Sequence, residues 1–213
     1  MGGDMVKSPL KALVISLVFL FVLGFLFPTV TSLITEKALP NQSEGQPIKI
    51  DGKVYGSYLL AEAFNSSIFF HPRPSAIGYN LSESGSYPYS LGNPEVLNLT
   101  EKYLDEFLKD NPGINASQIP YAMLSYSASG LDPNIPLQGA LIQIPRISIA
   151  LHSITNNSVS LWENYLNDLV NKYTTQNFPF FGSYYVNIMY LNVNILEYLM
   201  NNGYIKSLNS IPP

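Results

Sequence analysis

An uncharged stretch near the N-terminus constrains this chain more than any other feature. From Ala12 to Thr35 no residue carries a charge, although lysines and a glutamate flank the stretch. A helix rises about 1.5 Å per residue, so this stretch is long enough to cross the roughly 30 Å hydrocarbon core of a bilayer. A helix also pairs its backbone N–H and C=O groups with each other, which is necessary because lipid offers them no hydrogen-bond partners. The sequence therefore predicts one transmembrane helix over residues 10–34, preceded by a short cytoplasmic N-terminus of residues 1–9.

A cleaved secretory signal is the alternative interpretation of this stretch. Such signals have a shorter apolar region and end in a cleavage pattern of small residues. Here the apolar region is longer, and bulky Leu33 and Ile34 follow Pro28 without a clear cleavage site. The length favours an uncleaved anchor.

Two residues interrupt the uniform apolar pattern of the span. Pro28 is tolerated in membrane helices, where it favours a kink at the outer end. Gly24 is small enough to let a second helix approach closely, so we expect it at a helix-packing surface.

The orientation of the span follows from the size of what comes after it. Lys7, Lys11 and the amino group precede the span, while Lys37 and Lys49 follow it, so the charge tally is nearly balanced. Long domains cross membranes largely regardless of charge. We therefore expect the N-terminus to be cytoplasmic and the rest of the chain extracytoplasmic. Six N-glycosylation sequons suit that address, at Asn41, Asn65, Asn80, Asn98, Asn115 and Asn156. The absence of cysteine neither requires nor excludes an oxidising compartment.

Beyond the span the sequence predicts a linker at residues 35–47, a single α+β domain at residues 48–200 and a fraying tail at residues 201–213. Within the domain we expect mixed elements: a hairpin at Asp51-Gly52, helices over residues 56–64, 95–110, 136–151, 159–173 and 195–200, and strands over residues 119–124 and 186–193. Pro145 must either break the 136–151 helix or begin a second one.

Motifs for enzyme chemistry are missing. The sequence contains neither a Walker-type phosphate loop nor a dinucleotide fingerprint. The string from Tyr126 to Gly130 lacks the first glycine of a nucleophile elbow. His71 and His152 are too far apart in sequence to read as a metal pair. We expect no catalytic residue, no metal site, no directly bound cofactor and no nucleic-acid partner.

The arginines are the most informative polar residues. The chain has only two, Arg73 and Arg146, and both lie in proline-bounded segments. Asp132, in a Gly-Leu-Asp-Pro turn, is a candidate partner for either, since a guanidinium can hold a carboxylate with two hydrogen bonds. One interpretation is that these residues tie loops together inside the domain. The other is that they form a surface for a partner protein.

Around the arginines the chain resembles the C subunit of the Kdp potassium-transporting P-type ATPase, the KdpC family. The resemblance covers most of residues 12–196 and rests on Phe69-Phe70-His71, Arg73-Pro74-Ser75-Ala76, Ser84-Gly85-Ser86, Gly92-Asn93-Pro94, Ser129-Gly130-Leu131-Asp132-Pro133-Asn134-Ile135, Gln143, Pro145-Arg146-Ile147, Val186-Asn187 and Leu191-Asn192. Pro72, Tyr87 and Ala128 depart from the family pattern and stiffen loops without changing the charged positions.

The resemblance implies a single-pass subunit of the cell membrane that is not itself catalytic. Its partners would be a potassium-channel-like ion-selecting subunit and a P-type ATP-hydrolysing subunit, and ATP and K⁺ would be ligands of the complex. The C subunit would stabilise the assembly and, as a catalytic chaperone, raise the ATP affinity of the pump subunit. Structural or partner-docking roles would fall to His71, Arg73, Ser75, Asp132, Arg146 and Asn187.

Gln143 matches a family glutamine that is implicated in nucleotide contact. Its neighbours Ile142, Ile144 and Ile147 instead favour a buried residue that bonds within the domain. An extracytoplasmic domain is also separated from cytoplasmic ATP by the bilayer, so an effect on ATP affinity would be an indirect coupling. The alternative function is a stand-alone membrane-anchored extracellular binding or hydrolytic domain.

Overall fold

The computed structural model describes residues 3–50, 52–90, 92–178, 181–206 and 211. The chain divides into two compact units between Pro47 and Ile48. The first unit is helical, and the second mixes helices with short strands. The predicted α+β class with one long apolar N-terminal helix is therefore confirmed.

The first unit contains the helix that is long and apolar enough to span a membrane. Helix α1 (Gly3–Phe21) continues through a π-helical turn (Val22–Leu26) into α2 (Phe27–Ala38). The most apolar 18-residue window within residues 9–38 has a mean hydropathy of 2.7, and none of it is buried. At about 1.5 Å per residue, residues 9–38 extend roughly 45 Å. The helix passes residue 34, and α3 (Pro40–Ser43) follows, so part of the expected linker is helical.

The π-helical turn ends two residues before Pro28. Proline lacks an N–H, and its ring crowds the carbonyl four residues earlier, here that of Gly24. In the wider turn the Phe27 N–H donates to the Val22 carbonyl, which relieves that crowding. An added Cβ on Gly24 would contact only the Leu20 side chain, at 3.8 Å, so a packing role for this glycine stays a prediction.

The second unit is built from two small sheets and five helices among the described residues. Its elements are β1 (Pro47–Ile50), β2 (Lys53–Ser57), α4 (Pro94–Asp110), β3 (Asn134–Pro136), α5 (Leu137–Leu141), α6 (Ile144–Thr155), α7 (Val159–Tyr173), β4 (Thr174–Gln176), β5 (Tyr184–Asn187) and α8 (Ile188–Asn201). Strands β1 and β2 form the predicted hairpin, although Asp51 lies outside the described residues. The other sheet is antiparallel in the order β3-β5-β4, with Ile135 opposite Val186.

Two predicted helices form as expected because their ends are capped. The Asn93 side chain accepts a hydrogen bond from the Glu95 N–H at the start of α4. The Ser158 hydroxyl does the same for the Leu161 N–H at the start of α7. Pro145 begins a second helix, since it occupies the first turn of α6, where its missing N–H costs nothing.

The core of the second unit lies among α5 to α8. Trp162 is fully buried, and its ring meets that of Tyr198 edge-on with centroids 5.0 Å apart. Its indole Nε1 donates to the Thr155 hydroxyl at 2.9 Å, which ties the end of α6 to α7. Leu151 and Leu166 pack in the same cluster.

The predicted helix over residues 56–64 is wrong. Strand β2 continues to Ser57, and a turn follows. The backbone groups here bond to distant segments instead of to each other: the Asn187 amide donates to the Tyr58 carbonyl, and the Ala61 N–H donates to the Leu131 carbonyl. These long-range bonds override the local helical preference.

Three other predicted elements also differ. Residues 119–124 form no strand, because Pro120 is followed by a 3₁₀ turn, Tyr121–Leu124. Strand β5 ends at Asn187, so residues 188–193 are helical. The described part of the tail is packed rather than frayed, since Ile205 is buried and Ile211 packs against the core.

Candidate functional site

Arg146 is the centre of a largely buried hydrogen-bond network. Its Nε donates to Asn111 Oδ1 at 3.0 Å, and its Nη1 donates to the Ser67 carbonyl at 2.7 Å. Its Nη2 donates to the Phe69 carbonyl at 3.0 Å and to Gln143 Oε1 at 2.9 Å. The guanidinium thereby joins the residue after α4, the segment before His71 and the start of α6. We call these residues the Arg146 network.

Gln143 lies inside this network with no exposed surface. Its Oε1 also accepts the His71 N–H at 2.8 Å. Its Nε2 donates to the Gly139 carbonyl at 2.9 Å and to the His71 carbonyl at 3.3 Å. The side-chain amide has two donor hydrogens and two acceptor sites, and the chain itself uses all four.

The charges of the Arg146 network are set by burial. Burial lowers the pKa of Arg146 to about 10, which leaves it charged at neutral pH. Burial, aided by the nearby Arg146 charge, lowers the pKa of His71 to about 4. The Asp110 carboxylate, 3.8 Å from His71 Nδ1, and the Ser66 carbonyl oppose that shift. The imidazole is therefore neutral at neutral pH, and the network holds one buried positive charge.

Asn192 extends the network into α8 and was not predicted as a site residue. Its Oδ1 accepts the Phe70 N–H at 2.8 Å, and its Nδ2 donates to the Phe70 carbonyl at 2.9 Å. The side chain is 1% exposed. Asn192 and Asn194 in the largely apolar 188–199 run were the available signal, because a buried amide must find partners.

Arg73 forms a second network with Asp132. Its Nη1 donates to Asp132 Oδ2 at 3.3 Å. Its Nε donates to the Ala122 carbonyl at 3.0 Å, and its Nη2 donates to the Tyr126 carbonyl at 3.1 Å. Arg73 is therefore the arginine that pairs with Asp132, and it does so through one hydrogen bond rather than the two expected. The other carboxylate oxygen of Asp132 accepts the Asn134 N–H at 3.0 Å.

Ser75 fixes the loop that follows Arg73. Its hydroxyl donates to the Gly130 carbonyl at 2.7 Å and accepts the Tyr79 N–H at 3.0 Å. Gly130 has φ +72°, and an added Cβ would lie 2.7 Å from Ile77 and 2.9 Å from the Gly85 carbonyl. Only glycine fits this close approach of two loops.

Asn187 joins β5 to the segment after β2. Its Nδ2 donates to the Tyr58 carbonyl at 2.7 Å, and its Oδ1 accepts the Met189 N–H at 2.9 Å as the cap of α8. The side chain thus ends a strand, begins a helix and holds a distant turn.

An open pocket of about 260 Å³ borders both networks. Its polar walls include His71, Tyr79, Tyr103, Glu106 and Asp110. Because the imidazole is neutral, the two carboxylates give this pocket a negative character. Within the described residues, no group of three or more His, Asp or Glu side chains is placed to hold a metal ion.

Together, the long apolar helix and the internally bonded α+β unit define a protein with one candidate membrane span among its described residues. The family described as KdpC, the c chain of K⁺-transporting ATPase, matches residues 9–197. The potassium-transporting ATPase KdpC subunit of Thermoplasma acidophilum is 74% identical over 199 residues, which are 93% of this chain and 97% of that protein. The KdpC subunit of Caldanaerobacter subterraneus subsp. tengcongensis is 36% identical over 92% of this chain and 96% of its own length. The KdpC subunit of Clostridioides difficile is 32% identical over 91% of this chain and 98% of its own length. The chain therefore belongs to the KdpC family, whose members are a membrane subunit of the K⁺-transporting ATPase.

Proposed function

We propose that the chain is the non-catalytic accessory subunit of a high-affinity, ATP-driven potassium importer and that its α+β unit is a rigid brace. The Arg146 network carries this proposal. All of its polar groups named above bond to the chain's own backbone and amides, and Gln143 has no exposed surface. Such a network fixes the relative positions of α4, α6 and α8. A unit of this kind can hold two larger subunits, one ion-selecting and one ATP-hydrolysing, in a fixed orientation.

The brace is proposed to lie outside the cytoplasm, with the N-terminus inside. The size of the second unit supports this orientation, because long domains cross membranes largely regardless of flanking charge. ATP and K⁺ are then ligands of the complex, with K⁺ entering from the side of the brace and ATP binding on the other.

The effect on ATP affinity is proposed to be indirect. A nucleotide that contacted Gln143 would have to replace at least one of its four hydrogen bonds, at a site without solvent access. The catalytic-chaperone role therefore requires a coupling free energy that passes through the span and the partner subunits. Coupling of this kind is reciprocal: if the chain raises ATP affinity by some factor, ATP raises the affinity for the chain by the same factor.

The coupling between this chain and ATP can be measured from both sides, because it is reciprocal. The affinity of the full chain for a complex that lacks it is measured with and without a non-hydrolysable ATP analogue. The ATP affinity of that complex is then measured with and without the chain. We expect both factors to exceed one, and factors of one would overturn the proposed effect on ATP affinity.

The variants Gln143→Glu and Gln143→Met test for direct contact. Under the proposal they change ATP affinity only as far as they weaken the fold or the assembly. A change in ATP affinity with unaltered unfolding midpoint and unaltered assembly would overturn the indirect mechanism, as would photo-crosslinking of an azido-ATP to this chain.

A further inference from the structure

Two phenylalanines between β4 and β5 lie open to water. Phe178 is 58% exposed and Phe181 is 72% exposed, whereas the most exposed apolar residue of the span, Leu20, reaches 68%. The two rings stack with centroids 6.2 Å apart. Single exposed apolar residues are ordinary on protein surfaces, but a stacked phenylalanine pair of this exposure marks an interaction surface.

The hairpin that carries this pair has no charge. The sequence from Tyr173 to Leu196 contains no acidic or basic residue. Its polar groups are neutral, and the Gln176 side chain closes the hairpin by donating to the Gly182 carbonyl at 3.1 Å. An uncharged hairpin avoids the large cost of moving a charge from water into a less polar medium.

The aromatic residues are ordered along the hairpin. Tyr184 lies opposite Gln176 in the strand register and is 54% exposed. Phe178 and Phe181 follow beyond that pair, farther from the sheet. Apolar rings in the loop with a tyrosine closer to the sheet are an arrangement that suits a membrane–water interface. We call Phe178, Phe181 and Tyr184 the aromatic patch.

The second unit is covalently linked to the candidate span, so lipid is the nearest binding partner for the aromatic patch. The candidate span ends at Ala38, and the second unit begins at Ile48. Even fully extended, residues 39–47 reach only about 30 Å. The folded unit therefore remains beside the bilayer, at a high effective concentration of lipid surface, where a shallow contact is enough for binding.

We propose that the aromatic patch inserts into the interfacial layer of the bilayer that holds the span. This second contact restricts how the folded unit can rotate about its linker. The proposal is independent of the proposed function and holds for either orientation of the span.

The absence of native cysteine makes a direct test possible. A nitroxide is attached at Ser183→Cys, which leaves the patch intact, in the full chain reconstituted into vesicles of equal phosphatidylcholine and phosphatidylglycerol. The accessibility of the label to oxygen, which partitions into lipid, is compared with its accessibility to a water-soluble nickel complex. The matched control is a label at Leu161→Cys, on the exposed face of α7.

We expect a higher oxygen-to-nickel accessibility ratio at Ser183→Cys than at Leu161→Cys. Adding Phe178→Ser and Phe181→Ser should reduce the ratio at Ser183→Cys to the control value. Unchanged emission of buried Trp162 then shows that the fold is intact. Equal ratios at the two labels in the unaltered background would overturn the proposal. A label shielded from both reagents only in the assembled ATPase would also overturn it, in favour of a protein partner.

Discussion

Arg146 and Gln143 are three residues apart at the start of α6 and share one hydrogen bond, from Arg146 Nη2 to Gln143 Oε1 at 2.9 Å. The same amide oxygen accepts the His71 N–H, so one atom joins the buried guanidinium to the loop that leads to Arg73. The two arginine networks are therefore not independent. His71 bonds to Gln143 in the Arg146 network, and only Pro72 separates His71 from Arg73, the centre of the second network.

The variant Arg146→Lys should destabilise the protein far more than Arg73→Lys. A lysine keeps the charge but cannot reach four acceptors in the planar arrangement of a guanidinium. We expect the free energy of unfolding to fall by about 3 kcal/mol for Arg146→Lys, because buried carbonyls lose their donors. For Arg73, whose guanidinium makes three hydrogen bonds and pairs with a partly exposed Asp132, we expect about 1 kcal/mol. Urea unfolding of the full chain in micelles, followed by Trp162 emission, measures both; equal losses would contradict the central role given to Arg146.

Asn192→Leu should be costly although it places an apolar residue in an apolar helix. The substitution leaves the Phe70 N–H and carbonyl without partners, and we expect a loss of about 2–4 kcal/mol. The control is Asn194→Leu on the same helix, where the side chain is only partly buried, and there we expect less than about 1 kcal/mol. A neutral Asn192→Leu would show that α8 does not depend on this amide.

Gly130→Ala separates crowding from backbone strain. Both Gly130 and Gly113 have positive φ, at +72° and +91°, but an added Cβ meets close neighbours only at Gly130. We expect Gly113→Ala to cost about 1 kcal/mol from the left-handed backbone. Gly130→Ala should cost at least about 2 kcal/mol, since Ile77 and the Gly85 carbonyl must also move. Comparable unfolding midpoints for the two variants would contradict this assignment.

The buried imidazole of His71 should make stability depend on acid. Its pKa is about 4 in the folded chain against about 6.5 when unfolded, so the unfolded chain binds the extra proton between these values. Stability is then full above about pH 6.5 and falls as the pH drops toward 4, by about 2–3 kcal/mol.

His71→Gln removes this titration and should flatten the stability curve between pH 4 and 6.5. The measurement is the urea midpoint across that range for the two proteins. Because the slope is compared rather than the absolute stability, a general loss of packing in the variant does not affect the outcome. Parallel curves would show that His71 is not the group responsible.

The helices with one apolar face could be predicted from the sequence. Residues 159–173 show a 3.6-residue apolar period and a serine cap, and α7 begins and ends where that pattern does. Helix α8 could not be predicted in the same way. Eight of its residues are buried, so its apolar residues recur without a clear period and residues 186–193 read equally well as a strand.

The candidate site was predicted in its charges and in the amides of Gln143 and Asn187, but not in those of Asn111 and Asn192. The two arginines and Asp132 stand out because charged residues are scarce in this chain. Asn111 and Asn192 do not, since the chain has many asparagines and only the fold shows which of them are buried. The choice of Arg73 over Arg146 as the partner of Asp132 was also beyond the sequence, because it depends on how the 3₁₀ turn at 121–124 places the Ala122 carbonyl.

The central claim is that the folded unit lies across the bilayer from the nucleotide pool, and single-cysteine labelling of intact cells tests it most directly. The cysteine-free chain allows one reactive site at a time, at Ser82→Cys in the second unit or at Ser8→Cys before the span. A membrane-impermeant maleimide should label Ser82→Cys in intact cells and Ser8→Cys only after permeabilisation. Labelling in the reverse order would place the unit in the cytoplasm and contradict the account.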